Sequence, residues 1–196
     1  MQDPMEAAVE AIEHGGVVVY PTETLWGLGA SIEDARAVER VFRLKNRPLV
    51  EPLSVAVASP RQIPNYAHLT DAGVKLAKLF PGPLTIVLRK RRSVPDVVTG
   101  GLDHVGIRVP DHKDCLQLLG RVGPLTSTSA NLHGGPEPRT LNEAKAIFGN
   151  HVDFYLDSDS KPAGVASTIV DARSDSVKIL RMGALSESRI RQILGQ

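Results

Sequence analysis

The sequence predicts an α/β-type layered domain built on a mixed sheet, and three observations carry that expectation. Short apolar runs rich in valine, isoleucine and leucine, bounded by proline or glycine, alternate with segments of helical period. The 196 residues, 42% hydrophobic and 23% charged, can bury a sizeable core, and no linker or repeat divides them, so residues 1–196 read as one domain. Closely spaced strand-like runs near the C-terminus add short antiparallel pairs, which make the sheet mixed.

The elements follow in order. Asp3 and Pro4 read as the cap and first residue of a helix that ends at Gly15, with Met5, Ala8, Val9 and Ile12 on one face. Val17 to Tyr20 is a strand buried on both faces, closed by Pro21. Ser31 and Asp34 open a second helix with Ala35, Val38, Val41 and Phe42 on its inner face; it runs into Lys45 and stops before Pro48. Leu53 to Ala58 is a strand. Thr70 starts a helix through Val74, Leu76, Ala77 and Leu79, which Pro81 and Gly82 terminate. Leu84 to Leu88 is a strand, and Arg89 to Gly101 reads as a strand end and a mobile loop. Val105 to Val109 is a strand, Asp111 starts a helix ending near Gly120, and Leu125 to Ser129 is a strand leading into the Gly/Pro-rich loop Asn131 to Arg139. Thr140 with Glu143 forms a capping box for a helix ending at Gly149. Val152 to Leu156, Ser167 to Val170 and Val177 to Arg181 are strands, and Ser186 caps a last helix.

Composition narrows the function. Lys and Arg number 23 against 22 Asp and Glu, so no global field attracts a polyanion. One Trp, three Tyr and four Phe are too few for an obvious base-stacking surface, which leaves small-molecule chemistry as the better start. The single cysteine, Cys115, cannot close an internal disulfide, and the six histidines are scattered without zinc-ligand spacing. A reducing, cytoplasmic setting fits. Met1 to Gly16 lacks the basic and apolar regions of a signal peptide, and no apolar stretch approaches the roughly 20 residues that span a bilayer.

No Walker A loop, dinucleotide fingerprint, nucleophile elbow or H-E-x-x-H is present. Four other constellations stand out, each with a structural alternative. Lys45-Asn46-Arg47-Pro48 follows a helix, where cations simply complement a helix C-terminus. If Lys45 also lies outside the helix, Lys45 and Arg47 point the same way and suit a triphosphate or carboxylate. Ser127-Thr128-Ser129-Ala130-Asn131 ends a strand, either satisfying its own turn or presenting Ser127, Ser129 and Asn131 on one face at the edge where α/β sheets bind ligands. Tyr20-Pro21-Thr22-Glu23-Thr24-Leu25-Trp26-Gly27-Leu28-Gly29 runs from a strand into a loop, as turn capping or as substrate contact. Arg108, inside an apolar strand, needs a structural carboxylate or an anionic ligand, and Arg181 poses the same question. His14, His104, His112, His133 and Cys115 read as ordinary surface or core residues.

Taken together, these segments resemble the YrdC-type family of threonylcarbamoyl-AMP synthases. The resemblance rests on Tyr20 to Thr24 with Gly27-Leu28, Lys45-x-Arg47-Pro48 with Pro52-Leu53-Ser54, Pro81 to Thr85, and Ile107-Arg108-Val109-Pro110. It continues through Ser127 to Asn131, Ser167 to Asp171 and Leu180-Arg181-x-Gly183, in a shared order over nearly the whole chain. It implies an α+β, YrdC/RibB-like architecture: three layers, with a twisted open mixed sheet and helices on both sides around a concave cleft. It also implies synthesis of threonylcarbamoyl-AMP and pyrophosphate from L-threonine, bicarbonate and ATP, with Mg²⁺ carried by the ATP and no protein metal site. The product would serve threonylcarbamoyladenosine modification of tRNA through a downstream transferase complex.

The family signature falls on Lys45, Arg47, Ser129 and Asn131 as the catalytic set. Thr22 is expected to hold threonine, and Arg108, Ser127, Ser167 and Arg181 to contact carboxylate or phosphate. Two positions depart from the pattern: Ala56 stands where many relatives carry His, and Glu51 is acidic beside the Lys45 and Arg47 pair. Two other functions compete. One is a non-enzymatic RNA-binding module of the same fold, with Arg89-Lys90-Arg91-Arg92 as its basic feature and weak tRNA binding as its sign. The other is a paralogous carbamoyl-transfer enzyme.

Overall fold

The computed structural model describes residues 3–196; Met1 and Gln2, the start of the stretch read against a signal peptide, lie outside them. Helix α1 is Pro4–Glu13, capped by Asp3, whose carboxylate accepts from Met5 N at 3.0 Å; the four residues it buries are Met5, Ala8, Val9 and Ile12. Strand β1 is Val18–Tyr20, followed by β2, Gly27–Gly29, which the sequence reading treats as loop. Helix α2 is Ala35–Lys45, capped by Asp34 rather than Ser31; Ala37, not Ala35, completes its buried face.

Strand β3 is Ser54–Ala56, α3 the single turn Ile63–Tyr66, β4 Ala67–His68 and α4 Asp71–Ala77, in which Val74 faces solvent instead of the core. Strand β5 is Leu84–Lys90 and α5 is Asp96–Thr99. The expected mobile loop is therefore anchored, with Val94, Val98 and Thr99 buried.

Strand β6 is His104–Arg108, and α6, Lys113–Val122, starts after His112, two residues later than expected. Then come β7 Leu125–Ser129, α7 Leu141–Phe148, β8 Phe154–Tyr155, β9 Thr168–Asp171, β10 Lys178–Arg181 and α8 Glu187–Leu194. The capping box of α7 closes as Glu143 N on Thr140 Oγ1, while the Glu143 carboxylate reaches past the cap to Arg139 N.

The strands form one sheet in the order β10-β9-β5-β6-β3-β7-β2-β1-β8, with β4 on the far end of β5. The pairs β1·β8, β3·β6 and β5·β9 are parallel and the others antiparallel, so the sheet is mixed through its middle as well as near the C-terminus.

Because alternate residues of a strand face opposite sides, the sheet supports two cores. Val19, Val55, Ile86, Ile107 and Val170 pack into the larger one with α2, α7 and α8. Val18, Tyr20, Ala56 and Leu125 pack on the other side with α1 and α6. That gives three layers. Helices α1 and α6 cover only part of their side, and there the uncovered positions of β3, β5, β6 and β7 are Ser54, Thr85, Arg108 and Ser127. Polar and small residues thus sit where a further apolar layer would be needed, and the result is a cleft.

Candidate active site

The cleft encloses about 210 Å³. Gly106 lies in its floor, where a Cβ would fall 2.7 Å from Ser54 Oγ and 3.0 Å from Thr85 Cγ2, so any side chain there crowds the floor. Seven of the nine residues singled out from sequence line it: Thr22, Arg47, Arg108, Ser127, Ser129, Ser167 and Arg181. Lys45 and Asn131 are buried next to it and are not among its lining residues.

Lys45 is the last residue of α2, not an extended residue beyond it. The turn that brings Arg47 round is the left-handed Asn46, with φ 52°. Convergence of the two cations therefore comes from one αL residue and not from strand-like alternation, a conformation asparagine tolerates better than most. The Lys45 ammonium is buried and donates to Ser129 O at 2.5 Å, Asn131 O at 2.6 Å and Asn131 Oδ1 at 3.2 Å. Burial, with the charge of Arg47 second, pushes its pKa down to about 8, while Glu137 acts the other way.

Asn131 is itself fixed: Oδ1 accepts from Ser129 Oγ at 2.6 Å and Nδ2 donates to Gly135 O at 2.7 Å. The strand end and its loop are thus tied to the end of α2.

Arg108 is the buried arginine that needed a counter-charge, and the protein supplies it. Its Nη2 donates to Glu23 Oε1 at 2.7 Å and to Thr24 Oγ1 at 2.9 Å. Glu23 Oε2 and Arg108 Nε are buried without a partner, so the pair is held through one of its two possible contacts. Glu23 belongs to the Tyr20 to Gly29 constellation, but the sequence reading does not single it out as the partner of Arg108. The available signal was an acidic residue in the strand-to-loop motif together with a buried Arg that required one.

The network continues to Thr22. Its Oγ1 donates to Leu25 O at 2.6 Å and takes Thr24 N and Leu25 N, at 3.3 and 3.2 Å. Its one proton is spent on Leu25 O, so Thr24 Oγ1, 2.9 Å away, is the donor between the two threonines. Little of the Thr22 hydroxyl is left for a ligand, so a contact from Thr22 to threonine would come from its methyl or backbone.

Arg181 is exposed rather than buried like Arg108, and it donates to Ser167 O at 2.8 Å; burial of part of its surroundings lowers its pKa. Ser167 Oγ lies 2.9 Å from Thr85 Oγ1. Gly183, just past β10, lets the chain lie close against the segment that leads into β9, because a Cβ there would meet Ala166 O at 2.2 Å.

Across the Thr22 to Trp26 turn runs the segment before β9, with Ala163 N on Glu23 O at 3.1 Å, Gly164 N on Thr24 O at 2.8 Å, and Lys161 Nζ 5.8 Å from the Trp26 ring centroid. Ala56 is fully buried, in register with Arg108 and Leu125. The basic run lies at the opposite end of β5 from Thr85. There Arg89 pairs with Asp103 and Lys90 with Asp96, so half of it is neutralised. Among the described residues no group of three or more His, Cys, Asp or Glu could hold a metal ion.

An open mixed sheet with a polar cleft lined by three arginines and several hydroxyls defines an α/β protein with a cleft of small-molecule size. The Sua5/YciO/YrdC family model, described as "Telomere recombination", matches residues 10–183, and the chain belongs to that family. It is 38% identical over 188 residues to the threonylcarbamoyl-AMP synthase of Pyrococcus abyssi, covering 94% of this chain but 55% of that longer protein. It is 34% identical to the threonylcarbamoyl-AMP synthase of Photobacterium profundum, covering 92% of this chain and 100% of that one. A crystal structure of P. abyssi Sua5 complexed with L-threonine superposes with a TM-score of 0.93 at 36% identity, over 97% of this chain and 57% of the other.

Proposed function

We propose that this chain is an L-threonylcarbamoyladenylate synthase, working as one domain, which makes threonylcarbamoyl-AMP and pyrophosphate from L-threonine, bicarbonate and ATP. The observation that carries the reading is the Lys45 anchor, which joins the Lys45-x-Arg47 segment to the Ser129-x-Asn131 segment at the wall of one polar cleft. The relatives named threonylcarbamoyl-AMP synthase and the threonine-bound neighbour support it.

The chemistry follows from the groups present. The threonine amine and bicarbonate condense with loss of water to a carbamate. A carbamate oxygen then attacks the α-phosphorus of ATP, the new O–P bond forms, and pyrophosphate leaves with the electrons of the bond to the α-phosphorus. This needs positioning and charge neutralisation more than a protein nucleophile. Arg47 and Arg181 take up phosphate charge, and the Ser127, Ser129 and Ser167 hydroxyls orient phosphate and carbonyl oxygens. Lys45 and Asn131 hold the strand end in place.

Arg108, already balanced by Glu23, contributes donors without demanding a second anion. Mg²⁺ enters on the triphosphate, which suits a cation that keeps its waters and binds phosphates. The product goes to a transferase that modifies tRNA, and weak tRNA contact by this chain fits that hand-over. No helix among the described residues is long and apolar enough to cross a membrane, and we place the protein in the cytoplasm.

The test is pyrophosphate release from ATP with threonine and bicarbonate omitted in turn. Release should need both; full release without threonine overturns the reading.

A further inference from the structure

We propose that Glu51 is a built-in competitor for Arg47, an internal anion that holds this guanidinium on the rim and limits how tightly the cleft binds a phosphate-bearing ligand. The inference rests on the reading that the cleft takes a nucleoside triphosphate.

Arg47 lines the cleft, yet most of its donors face protein atoms. Nη2 lies 3.0 Å from Pro52 O and 3.4 Å from Glu51 Oε2, Nε lies 3.4 Å from Glu51 O, and Nη1 lies 3.4 Å from His133 Nδ1. A guanidinium only donates, so His133 Nδ1 accepts and the neutral imidazole carries its hydrogen on Nε2. That nitrogen faces Glu51 Oε1 at 3.5 Å. Guanidinium, imidazole and carboxylate therefore close a ring, with one carboxylate oxygen turned to each partner. His133 stands two residues beyond Asn131, so the ring also joins the Arg47 turn to the wall of the cleft.

The ring is loose. Its charged contacts are 3.4–3.5 Å, against roughly 2.8 Å for a tight charge-assisted hydrogen bond. The Glu51 and His133 side chains are 40% and 37% exposed, so both can turn out into water. The other arginine–carboxylate pair in the cleft is the opposite case: Arg108 and Glu23 meet at 2.7 Å with side chains 10% and 14% exposed. One pair is fixed and the other is displaceable. A phosphate that offers Arg47 a two-pronged contact displaces Glu51, and the energy of that displacement is subtracted from binding.

The experiment is calorimetric titration of the full chain with ATP and with inorganic pyrophosphate, for the wild type, Glu51→Gln and Glu39→Gln. Glu39, which pairs with Arg43 on the exposed face of α2, controls for loss of one surface charge. Glu51→Gln should bind both ligands about three- to tenfold more tightly and lower the KM for ATP by a similar factor without raising kcat. Glu39→Gln should match the wild type. Unchanged or weaker binding by Glu51→Gln, or an equal gain in Glu39→Gln, overturns the proposal. A gain in affinity without synthesis of threonylcarbamoyl-AMP would leave the competitor standing and remove the synthase reading; synthesis without that gain would do the reverse.

Discussion

The Lys45 ammonium lies 2.6 Å from the backbone oxygen of Asn131, buried against the strand end and not among the residues that line the cleft. Lys45 and Arg47 are thus unequal members of one motif. Lys45→Ala takes the charged donor from Ser129 O and Asn131 O, leaves Asn131 Oδ1 with the Ser129 hydroxyl alone, and should lower unfolding free energy by about 2–4 kcal/mol as well as abolish most activity. Arg47→Ala should lose activity by about 100-fold while leaving the fold within roughly 1 kcal/mol. Pyrophosphate release and urea unfolding measured side by side check both. Equal stability losses in the two variants would refute the distinction.

The same ammonium predicts a pH limb. Folded Lys45 gives up its proton near 8, against an ordinary 10.5. A neutral amine has two N–H groups for three acceptors, so the wall loosens and the rate should fall as pH rises through about 8. The stability sign is opposite. Between these two values the unfolded chain binds the extra proton, so this group's contribution to unfolding free energy rises with pH there and is flat below 8. Glu137→Gln, which removes the charge that supports the ammonium, should move the limb to lower pH. A rate profile flat to pH 9.5 would sink the assignment.

Glu23 and Arg108 should be energetically inseparable. Glu23→Gln leaves a buried arginine without its counter-charge and should cost about 2–4 kcal/mol. Replacing both by Gln should cost clearly less than the two single losses added together. A double-mutant cycle in urea measures the coupling; additive losses would mean that Arg108 finds its partner elsewhere.

Thr22 separates a hydroxyl that builds the loop from a methyl that can meet a ligand. Thr22→Val strands Leu25 O and two amides and should destabilise by about 1–3 kcal/mol. Thr22→Ser keeps that network, so its stability should stay within about 1 kcal/mol. Any rise in the KM for threonine in Thr22→Ser then reports the missing methyl. If Thr22→Val unfolds no more easily than Thr22→Ser, the hydroxyl network is not what holds the loop.

Much of the architecture is legible from residue order because it depends on local signals. The face of α1, the cap at Ser186 and the strands around Ile86 and Ile107 follow from period and punctuation. Strand β2 is not legible in the same way. Gly27-Leu28-Gly29 has no β-branched residue, and it is a strand only because β1 and β7 flank it on both sides. Val74 fits a helical face by spacing and still points to water, because α4 is too short to bury two sides.

The site was legible as a set of segments, while its wiring was not. That Arg47 comes round to the cleft beside Lys45 depends on one left-handed residue, Asn46. That Arg108 is balanced by Glu23 depends on a contact across 85 positions of chain, for which no local pattern exists.

The alternation that gives β3, β5 and β6 a greasy side and a polar side also separates two kinds of inheritance. Val55, Ile86 and Ile107 are answerable to the packing of the whole sheet, whereas Ser54 and Thr85 face the hollow and answer to its occupant and to their immediate neighbours. A lineage can therefore rewrite letters such as Ser54 and Thr85 and change its ligand while the scaffold goes on folding. Distant descendants would then share a shape long after they have ceased to share a substrate.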